Sequence, residues 1–187
     1  MTREILTERL LLRPWRCEDL DDLYAYSHCD EVGPMAGWRP HATREEAEKA
    51  LAKYVTHELH WALVWRENGR VIGAVKLNPD TNRGKFYAKA ISFVLSPAYW
   101  GRGLMTEAVK AVIDYAFSEI GIDLLSAFHY SGNDRSRRVL EKCGFEYEIT
   151  FKNMVTRYDG RVFDMVCYCI LAEDYKKRAA HGWAELA

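Results

Sequence analysis

The sequence predicts an α/β fold of the α+β kind, with about four helices packed on a mixed, mostly antiparallel sheet of six to seven strands. Helical and extended apolar patterns alternate along the chain, which favours a sheet covered by helices. Asn68-Gly69 and Asp159-Gly160 are hairpin-turn dipeptides, and each requires an antiparallel pair of strands. An apolar stripe from Met105 to Ile120 has the spacing of a buried helix face.

Capping and turn signals set the element boundaries in the first half of the chain. Pro14 ends a short apolar strand. Thr43 and Glu46 form the pattern of a capping box, which begins a helix. We therefore expect, in order, a strand at 10–12, an acidic helix at 18–27, a loop at 29–42, a helix at 43–55, and strands at 61–65, 71–77 and 86–95.

Glycines divide the second half of the chain. Gly121 closes the long helix, and Gly144 ends a second, shorter one. The expected elements are a helix at 105–120, a strand at 124–130, a helix at 134–143, strands at 145–153 and 161–171, and a solvated tail at 176–187.

Length, charge and hydrophobicity exclude several classes of protein. The chain has 187 residues, which predicts one domain over 1–187, and its 49% hydrophobic content excludes a disordered chain. Lys and Arg number 26 against 27 Asp and Glu, which argues against a duplex nucleic-acid binder. The longest apolar run, Met165–Ala172, is too short for a membrane span of about 20 residues. Five cysteines without a C-x-x-C pair favour a reduced, cytoplasmic location.

The segment from Tyr99 to Thr106 is the first candidate binding site. Gly101 and Gly103 allow a tight turn and close approach of the backbone to a ligand. The following helix offers unpaired N–H groups to an anion such as phosphate, although an ordinary strand-to-helix turn would use the same residues. Thr106 stands where a dinucleotide fingerprint needs a third glycine, and the chain has no Gly-Lys-Ser/Thr P-loop.

The segment from Asn133 to Phe145 is the second candidate. Asn133 or Asp134 caps a short helix, and Ser136 lies in its first turn. Taken alone, this segment is ordinarily explained by a purely structural role, in which a cap starts an amphipathic helix that a glycine ends.

Taken in order, four segments resemble one enzyme family. Leu6–Trp15, Val71–Gly73, Leu95–Ala108 and Asn133–Phe145 are similar in order and spacing to the ribosomal-protein N-acetyltransferase (RimJ/RimL-like) branch of the GNAT superfamily. The resemblance spans residues 4–175. It implies a GNAT fold whose sheet is splayed at a cofactor cleft, and an acetyl-CoA-dependent N-acetyltransferase.

The resemblance also assigns cofactor contacts. It implies that the turn from Gly101 to Thr106 holds the pyrophosphate of acetyl-CoA through backbone N–H groups, and that a free strand edge pairs with the pantetheine amides. The implied cofactor-binding residues are Phe93, Val94, Leu95, Gly101, Arg102, Gly103, Leu104, Met105, Thr106 and Asn133. His57 and His60 lie three apart without a third ligand in spacing, so no metal site is expected.

Direct acetyl transfer is implied, with the oxyanion held by a backbone N–H near Val94. Many GNAT enzymes carry a tyrosine acid where this chain has Leu140, which cannot donate a proton. In the ribosomal-protein branch the serine of Asn-x-x-Ser is the proposed acid, and here that is Ser136. Ser136 is therefore expected to act as the acid or to contact the thiol; phosphate binding or helix capping is the alternative.

No general base is evident in the sequence. Positions where related enzymes carry glutamates fall at Ala90 and near Val155, and neither is ionisable. His129, near the end of a strand leading to the site, is the nearest titratable candidate. An α-amine of pKa about 7.8 costs about 1 kcal/mol to deprotonate at pH 7, against about 4.6 kcal/mol for lysine. The sequence therefore favours an α-amine or another amine of low pKa.

The expected activity is acetyl transfer to a primary amine, with a protein N-terminal α-amine as the first candidate. A small-molecule amine (polyamine, aminoglycoside or amino acid) and a non-catalytic acyl-CoA-binding module are the alternatives. Six acids between Glu18 and Glu31, followed by Trp38, either attract a cationic amine or form a solvated helix face. The resemblance places the turn at Tyr158-Asp159 on the acceptor side. We expect a monomer or homodimer without a nucleic-acid or membrane partner.

Overall fold

The computed structural model describes residues 2–181, which form one eight-stranded sheet with helices on both faces. In chain order the elements are β1 (Ile5–Leu6), β2 (Leu10–Pro14), α1 (Leu20–Ser27), α2 (Gly33–Ala36), α3 (Arg44–Thr56), β3 (His60–Trp65), β4 (Val71–Pro79), β5 (Ala88–Leu95), α4 (Leu104–Tyr115), β6 (Leu124–Tyr130), α5 (Asp134–Lys142), β7 (Glu146–Thr156), β8 (Val162–Leu171) and α6 (Ala172–His181). The strand order is β1-β2-β3-β4-β5-β6-β8-β7. Every neighbouring pair is antiparallel except β5 and β6.

The predicted α+β class and mixed sheet are confirmed, with more elements than expected: eight strands and six helices among the described residues. β1 has two residues, too few for a periodic pattern, and α2 is a single turn that begins at Gly33 and Pro34. Part of the expected tail is helical, because α6 docks through Arg178, which donates to the Gly144 carbonyl and to Glu146. Residues 182–187 of that tail lie outside the described residues.

Local signals placed most other boundaries well. At the start of α3, Glu46 N–H donates to Thr43 Oγ1 (3.4 Å) and Ala42 N–H donates to Glu46 Oε2 (2.8 Å), close to the pattern of the predicted box. A π-helical turn at Ala116–Ile120 continues α4 to Gly121, so together they cover the expected long helix.

Different helices cover the two faces of the sheet. α4 buries one face, with Val109, Val112 and Ile113 fully enclosed against the strands. α1 and α3 cover the other face, where Leu23 and Leu51 pack in a second buried cluster. The helices therefore pack on both faces of the sheet, and the cavities described below open where β5 and β6 diverge.

β5 and β6 separate partway along their length. They pair only where residues 88–90 lie opposite residues 124–126, whereas β5 stays paired with β4 as far as Leu95. Asp80 stabilises the end where the two strands are still paired, because its carboxylate accepts a hydrogen bond from Ser126 Oγ (2.6 Å). The sheet therefore opens into a V-shaped cleft bordered by a free edge of β5.

Gly73 sets the close approach of β4 to β5 beside this cleft. A Cβ atom here would lie 2.3 Å from the carbonyl oxygen of Val94, so the backbone would have to move. We expect Gly73→Ala to lower the free energy of unfolding by about 1–3 kcal/mol, the range for overpacking. Urea denaturation measures this change. Asn78→Ala in the same strand is the control, with an expected change below about 0.5 kcal/mol; equal stability of Gly73→Ala and the parent protein would contradict the clash.

Candidate active site

Two cavities open from the cleft and share a wall. The larger, of about 520 Å³, runs from the start of α4 to α5. The smaller, of about 240 Å³, lies between strands β3 to β6 and the layer formed by α1, α2 and α3. The residues that border both cavities are Met35, Ala36, Phe93, Val94, Asn133 and Ser136. Ligands in the two cavities would therefore meet at the free edge of β5.

Backbone groups of alternate residues on β5 face the larger cavity. Ser96 N–H donates to Ile72 O (2.8 Å), and antiparallel pairs alternate between hydrogen-bonded and non-hydrogen-bonded positions. The backbone groups of Val94 therefore face β4, in agreement with the approach of its carbonyl to Gly73. Those of Phe93 face the cleft.

The backbone N–H and C=O groups of Leu95 face the cleft, as those of Phe93 do. The Leu95 carbonyl accepts a hydrogen bond from the Trp100 indole N–H (2.8 Å). The motif resemblance implies an oxyanion-binding N–H near Val94. The register directs the N–H of Val94 itself at β4, so the N–H groups that face the cleft near this position belong to Phe93 and Leu95.

Backbone amides at the start of α4 line the far end of the larger cavity. Gly101 and Gly103 have φ angles of 76° and 75°, a conformation that favours glycine. The first backbone hydrogen bond of the helix runs from Glu107 N–H to Gly103 O (3.0 Å). The N–H groups of residues 104–106 thus have no backbone acceptor within residues 2–181. Together with the helix dipole they suit an anion.

Three cationic side chains of α5 line the same cavity. Arg135, Arg138 and Lys142 lie at spacings of three and four, which places them on one side of the helix. The Arg135 guanidinium lies 4.1 Å from the centroid of the Trp100 ring. Family motifs do not single out these residues, but their helical spacing is a signal that identifies them.

All but one of the residues expected to bind the cofactor border this cavity. They are Phe93, Val94, Leu95, Gly101, Gly103, Leu104, Met105, Thr106 and Asn133. The guanidinium of Arg102 instead packs over the rings of Trp65 and Tyr99, and its carbonyl accepts a hydrogen bond from Arg9. Arg102 therefore has only its backbone N–H to offer at this turn.

The larger cavity suits a diphosphate joined to an amide-bearing chain. Unpaired amides, a helix dipole and three cations attract phosphate groups. The free edge of β5 offers backbone groups that an extended amide chain can complete as an added strand would. Coenzyme A combines these two parts, so the residues present fit it.

Ser136 lies where the two cavities meet. Asn133 Oδ1 accepts a hydrogen bond from Ser136 N–H (3.2 Å), which caps α5, and Asn133 Nδ2 donates to Met35 O (3.4 Å). The Ser136 hydroxyl makes no hydrogen bond within residues 2–181 and is therefore available to a ligand.

His129 is buried in the wall of the smaller cavity. Its Nδ1–H donates to Tyr130 O (2.9 Å), and its Nε2 lies 3.5 Å from the Tyr168 hydroxyl. The structure brings His129 into the region of the site with one ring nitrogen engaged by the backbone. Its role as a base stays a prediction.

Aromatic rings enclose the smaller cavity, and two basic residues lie on its sheet wall. The rings belong to Tyr26, Trp38, Tyr54, Phe93, Phe128 and Tyr130. His60 and Lys76 are direct neighbours across β3 and β4. Burial, followed by the charges of Lys76 and His57, lowers the pKa of His60 to about 3, and burial lowers the pKa of Lys76. No Asp or Glu of the described chain lines this cavity.

Three of the six acids expected near the acceptor are paired with arginines: Asp19 with Arg13, Asp21 with Arg44, and Asp22 with Arg70. Asp30 lies with Tyr158 and Asp159 in a separate surface groove of about 540 Å³. The predicted acidic and aromatic surface is therefore divided, with Trp38 in the smaller cavity and the acids outside it.

The splayed sheet, the free strand edge and the anion-binding helix start define the class of an acyl-CoA-dependent transferase. The chain belongs to the GNAT family of N-acetyltransferases: residues 9–146 match the family model described as the Acetyltransferase (GNAT) domain. The resemblance drawn from the motifs is confirmed, and membership implies the use of acetyl-CoA and an amine acceptor.

Relatives and a solved structure support this assignment. Probable N-acetyltransferase YjcK of Bacillus subtilis (strain 168) is 34% identical over 137 residues, 73% of each chain. Spermidine N(1)-acetyltransferase of Escherichia coli (strain K12) is 27% identical over 142 residues, also 73% of each. The crystal structure of ribosomal-protein-S5-alanine acetyltransferase from Vibrio fischeri has a TM-score of 0.77 at 24% identity, covering 92% of this chain and 98% of that one. The names of the last two state different acceptors, so the acceptor has to be argued from the smaller cavity.

None of the helices within residues 2–181 is long and apolar enough to cross a membrane. In the same part of the chain, no group of three or more His, Cys, Asp or Glu side chains is placed to hold a metal ion.

Gly103 offers a direct test of the phosphate site. Asp and Asn both tolerate positive φ better than most residues, and they differ in charge at nearly equal size. We expect Gly103→Asp to raise the Kd for CoA at least about tenfold above that of Gly103→Asn, equivalent to about 1.4 kcal/mol. Calorimetric titration with CoA measures both. Equal affinities of the two variants would contradict phosphate binding at this helix start.

Proposed function

We propose that the protein transfers acetyl directly from acetyl-CoA to the primary α-amine of an acceptor in the smaller cavity. The observation that carries this proposal is the meeting of the two cavities, where Phe93, Asn133 and Ser136 border both. Acetyl-CoA in the larger cavity supplies an activated acetyl thioester. An acceptor amine would approach from the opposite side, so the chain needs no nucleophile of its own.

The roles of the chain's own groups follow from their positions. The amides of residues 104–106, with Arg135 and Arg138, would hold the phosphates. The cleft-facing N–H of Phe93 or Leu95 would stabilise negative charge as it develops on the acetyl oxygen. We assign to Ser136 the role of stabilising the leaving sulfur of CoA: its hydroxyl would donate a proton or a hydrogen bond to that sulfur.

Among the described residues that line the smaller cavity there is no carboxylate to act as a base, and His129 is left as the base candidate, which favours an acceptor of low amine pKa such as an α-amine. A group with a pKa of about 3, such as His60, takes up a proton poorly at neutral pH. Deprotonating a peptide α-amine at pH 7 costs about 1 kcal/mol, whereas a lysine side chain costs about 4.6 kcal/mol. An α-amine therefore needs less help from the protein.

A polyamine fits the smaller cavity less well than a single amine. No acidic side chain of the described chain lines the cavity to neutralise a second ammonium group. Lys76 would repel that group, and two unit charges 4 Å apart near a protein surface interact by about 4 kcal/mol. A volume of about 240 Å³ also favours a small acceptor or the first residues of a chain.

Ser136→Ala tests the assignment at the leaving sulfur. Loss of a positioned acid should lower kcat by about 10²- to 10⁴-fold, with little change in the Kd for CoA, because the phosphate contacts stay intact. Ser136→Thr keeps a hydroxyl and should recover part of the activity. Release of free thiol from acetyl-CoA measures the rate. Full kcat in Ser136→Ala would refute the role of the hydroxyl without affecting the proposed α-amine.

The choice between α-amine and lysine is tested with two matched peptides. One has a free N-terminus and no lysine, and the other has a blocked N-terminus and one lysine. At pH 7 the unprotonated fraction differs about 340-fold between amines of pKa 7.8 and 10.4, so we expect a kcat/KM ratio of about that size. For the first peptide kcat/KM should rise with pH to a plateau above about pH 9. Equal kcat/KM for the two peptides at pH 7 would contradict the proposal.

A further inference from the structure

His60 and Lys76 form a basic pair in the smaller cavity that has no hydrogen-bond or ion-pair partner in the part of the chain that the structure describes. They face the same side of the sheet as direct cross-strand neighbours. Neither side chain makes a hydrogen bond or ion pair within residues 2–181. The charges that act on His60 come from Lys76 and His57, which are themselves basic.

The imidazole of His60 is held firmly. It is 5% exposed and packs against Trp15 and Tyr54, with ring centroids 5.8 and 4.5 Å away. Its Nδ1 is enclosed without a partner. A buried N–H without an acceptor is rarer than a buried acceptor without a donor, so the proton of the neutral ring is best assigned to Nε2. His60 would then offer an N–H donor to a ligand in the cavity.

A cation and an N–H donor that face a cavity without protein partners depend on water or on a ligand for their hydrogen bonds. Proteins commonly compensate such groups with an acid, yet no Asp or Glu among the described residues lines this cavity. An anionic group of the ligand would satisfy both the Lys76 ammonium and the His60 N–H.

The spacing along the sheet matches a small acceptor. Ser92 lies opposite Lys76 on β5, and Val94, at the meeting of the cavities, is two residues further along the strand. Two residues of a strand span about 7 Å. The flexible Lys76 side chain covers part of that distance. A group bound there would therefore lie only a few bonds from an amine at the edge of β5.

We propose that His60 and Lys76 bind a carboxylate of the acceptor, so that the substrate is a primary α-amine with a carboxylate close to it. The amine half of this inference rests on the proposed function. The carboxylate has two possible sources, a free amino acid or an Asp or Glu that begins a peptide. Lys76 forms the ion pair, and His60 Nε2–H donates the hydrogen bond.

Two matched substrate pairs test the carboxylate. Asp-Ala amide and Asn-Ala amide differ by a carboxylate at nearly equal size, and alanine and alaninamide differ in the same way for a free amino acid. Because the α-carboxylate of alanine raises the pKa of its amine above that of a peptide, kcat/KM is compared per unprotonated amine. In at least one pair, we expect the member that carries the carboxylate to have a kcat/KM at least tenfold higher than its neutral counterpart, mainly through a lower KM. A preference confined to the first pair identifies a peptide, and one confined to the second identifies a free amino acid.

Lys76→Met should bring the two members of the preferred pair to within about twofold of each other, with no change in the KM for acetyl-CoA. Lys76→Arg keeps the charge and should retain the preference. Lys89→Met is the matched control, because Lys89 lies on β5 outside both cavities. A structural role of Lys76 predicts a lower Tm for Lys76→Met, whereas binding of substrate predicts an equal or higher Tm, since no protein contact is lost.

Binding is measured without turnover by following the imidazole NMR signals of the protein while Asp-Ala amide, alanine and their neutral counterparts are added. The acid of the preferred pair should shift one imidazole signal that is absent from His60→Gln. If neither pair is distinguished in turnover or in titration, the inference is wrong even if amines are acetylated. Carboxylate-dependent binding at His60 without acetylation of any amine would support it and contradict the proposed function.

Discussion

The separation of β5 from β6 after three residue pairs is the constraint on which the rest of the site depends. Asp80 ties the closed end together by accepting hydrogen bonds from Ser126 and from Arg83, and Arg83 also pairs with Glu148 on β7. Burial acts to raise the pKa of Asp80, but these hydrogen bonds outweigh it and lower the pKa overall. The carboxylate therefore stays ionised at neutral pH and keeps one end of the cleft closed while the other opens.

An open edge inside a sheet is unfavourable for the protein alone, because its N–H and C=O groups lack strand partners. The same edge is a template for any chain of amides that can pair with it. In this fold the edge at Phe93 and Leu95 lies between a helix start on one side and an aromatic cavity on the other. One geometric feature thus positions a cofactor and brings it to the acceptor.

Sequence pattern predicts the parts of this structure that depend on near neighbours. The apolar stripe of α4, the capping box at Thr43 and the glycines at 101 and 103 are all local signals, and each gave an element or a site segment close to the observed one. His60 and Lys76 meet only through the register of β3 against β4, which no local pattern encodes. In the sequence, His60 therefore stands out only as a neighbour of His57, in an incomplete metal-ligand spacing.

The charge of the chain also takes on a more specific meaning. With a net charge of -1, the chain has no overall excess of basic residues to attract anions at long range, so the anion-binding groups act locally. Three cations of the larger cavity are exposed to water, which screens their charges: Arg135, Arg138 and Lys142. They can attract phosphates without destabilising the fold, but they discriminate little between anions. Lys76 is half-buried and has no ion-pair partner among the described residues. Its interaction with a carboxylate is therefore stronger than that of an exposed cation, and leaving Lys76 without a carboxylate is more unfavourable. The larger cavity is therefore built for affinity towards a cofactor shared by many enzymes, and the smaller cavity carries the discrimination between acceptors.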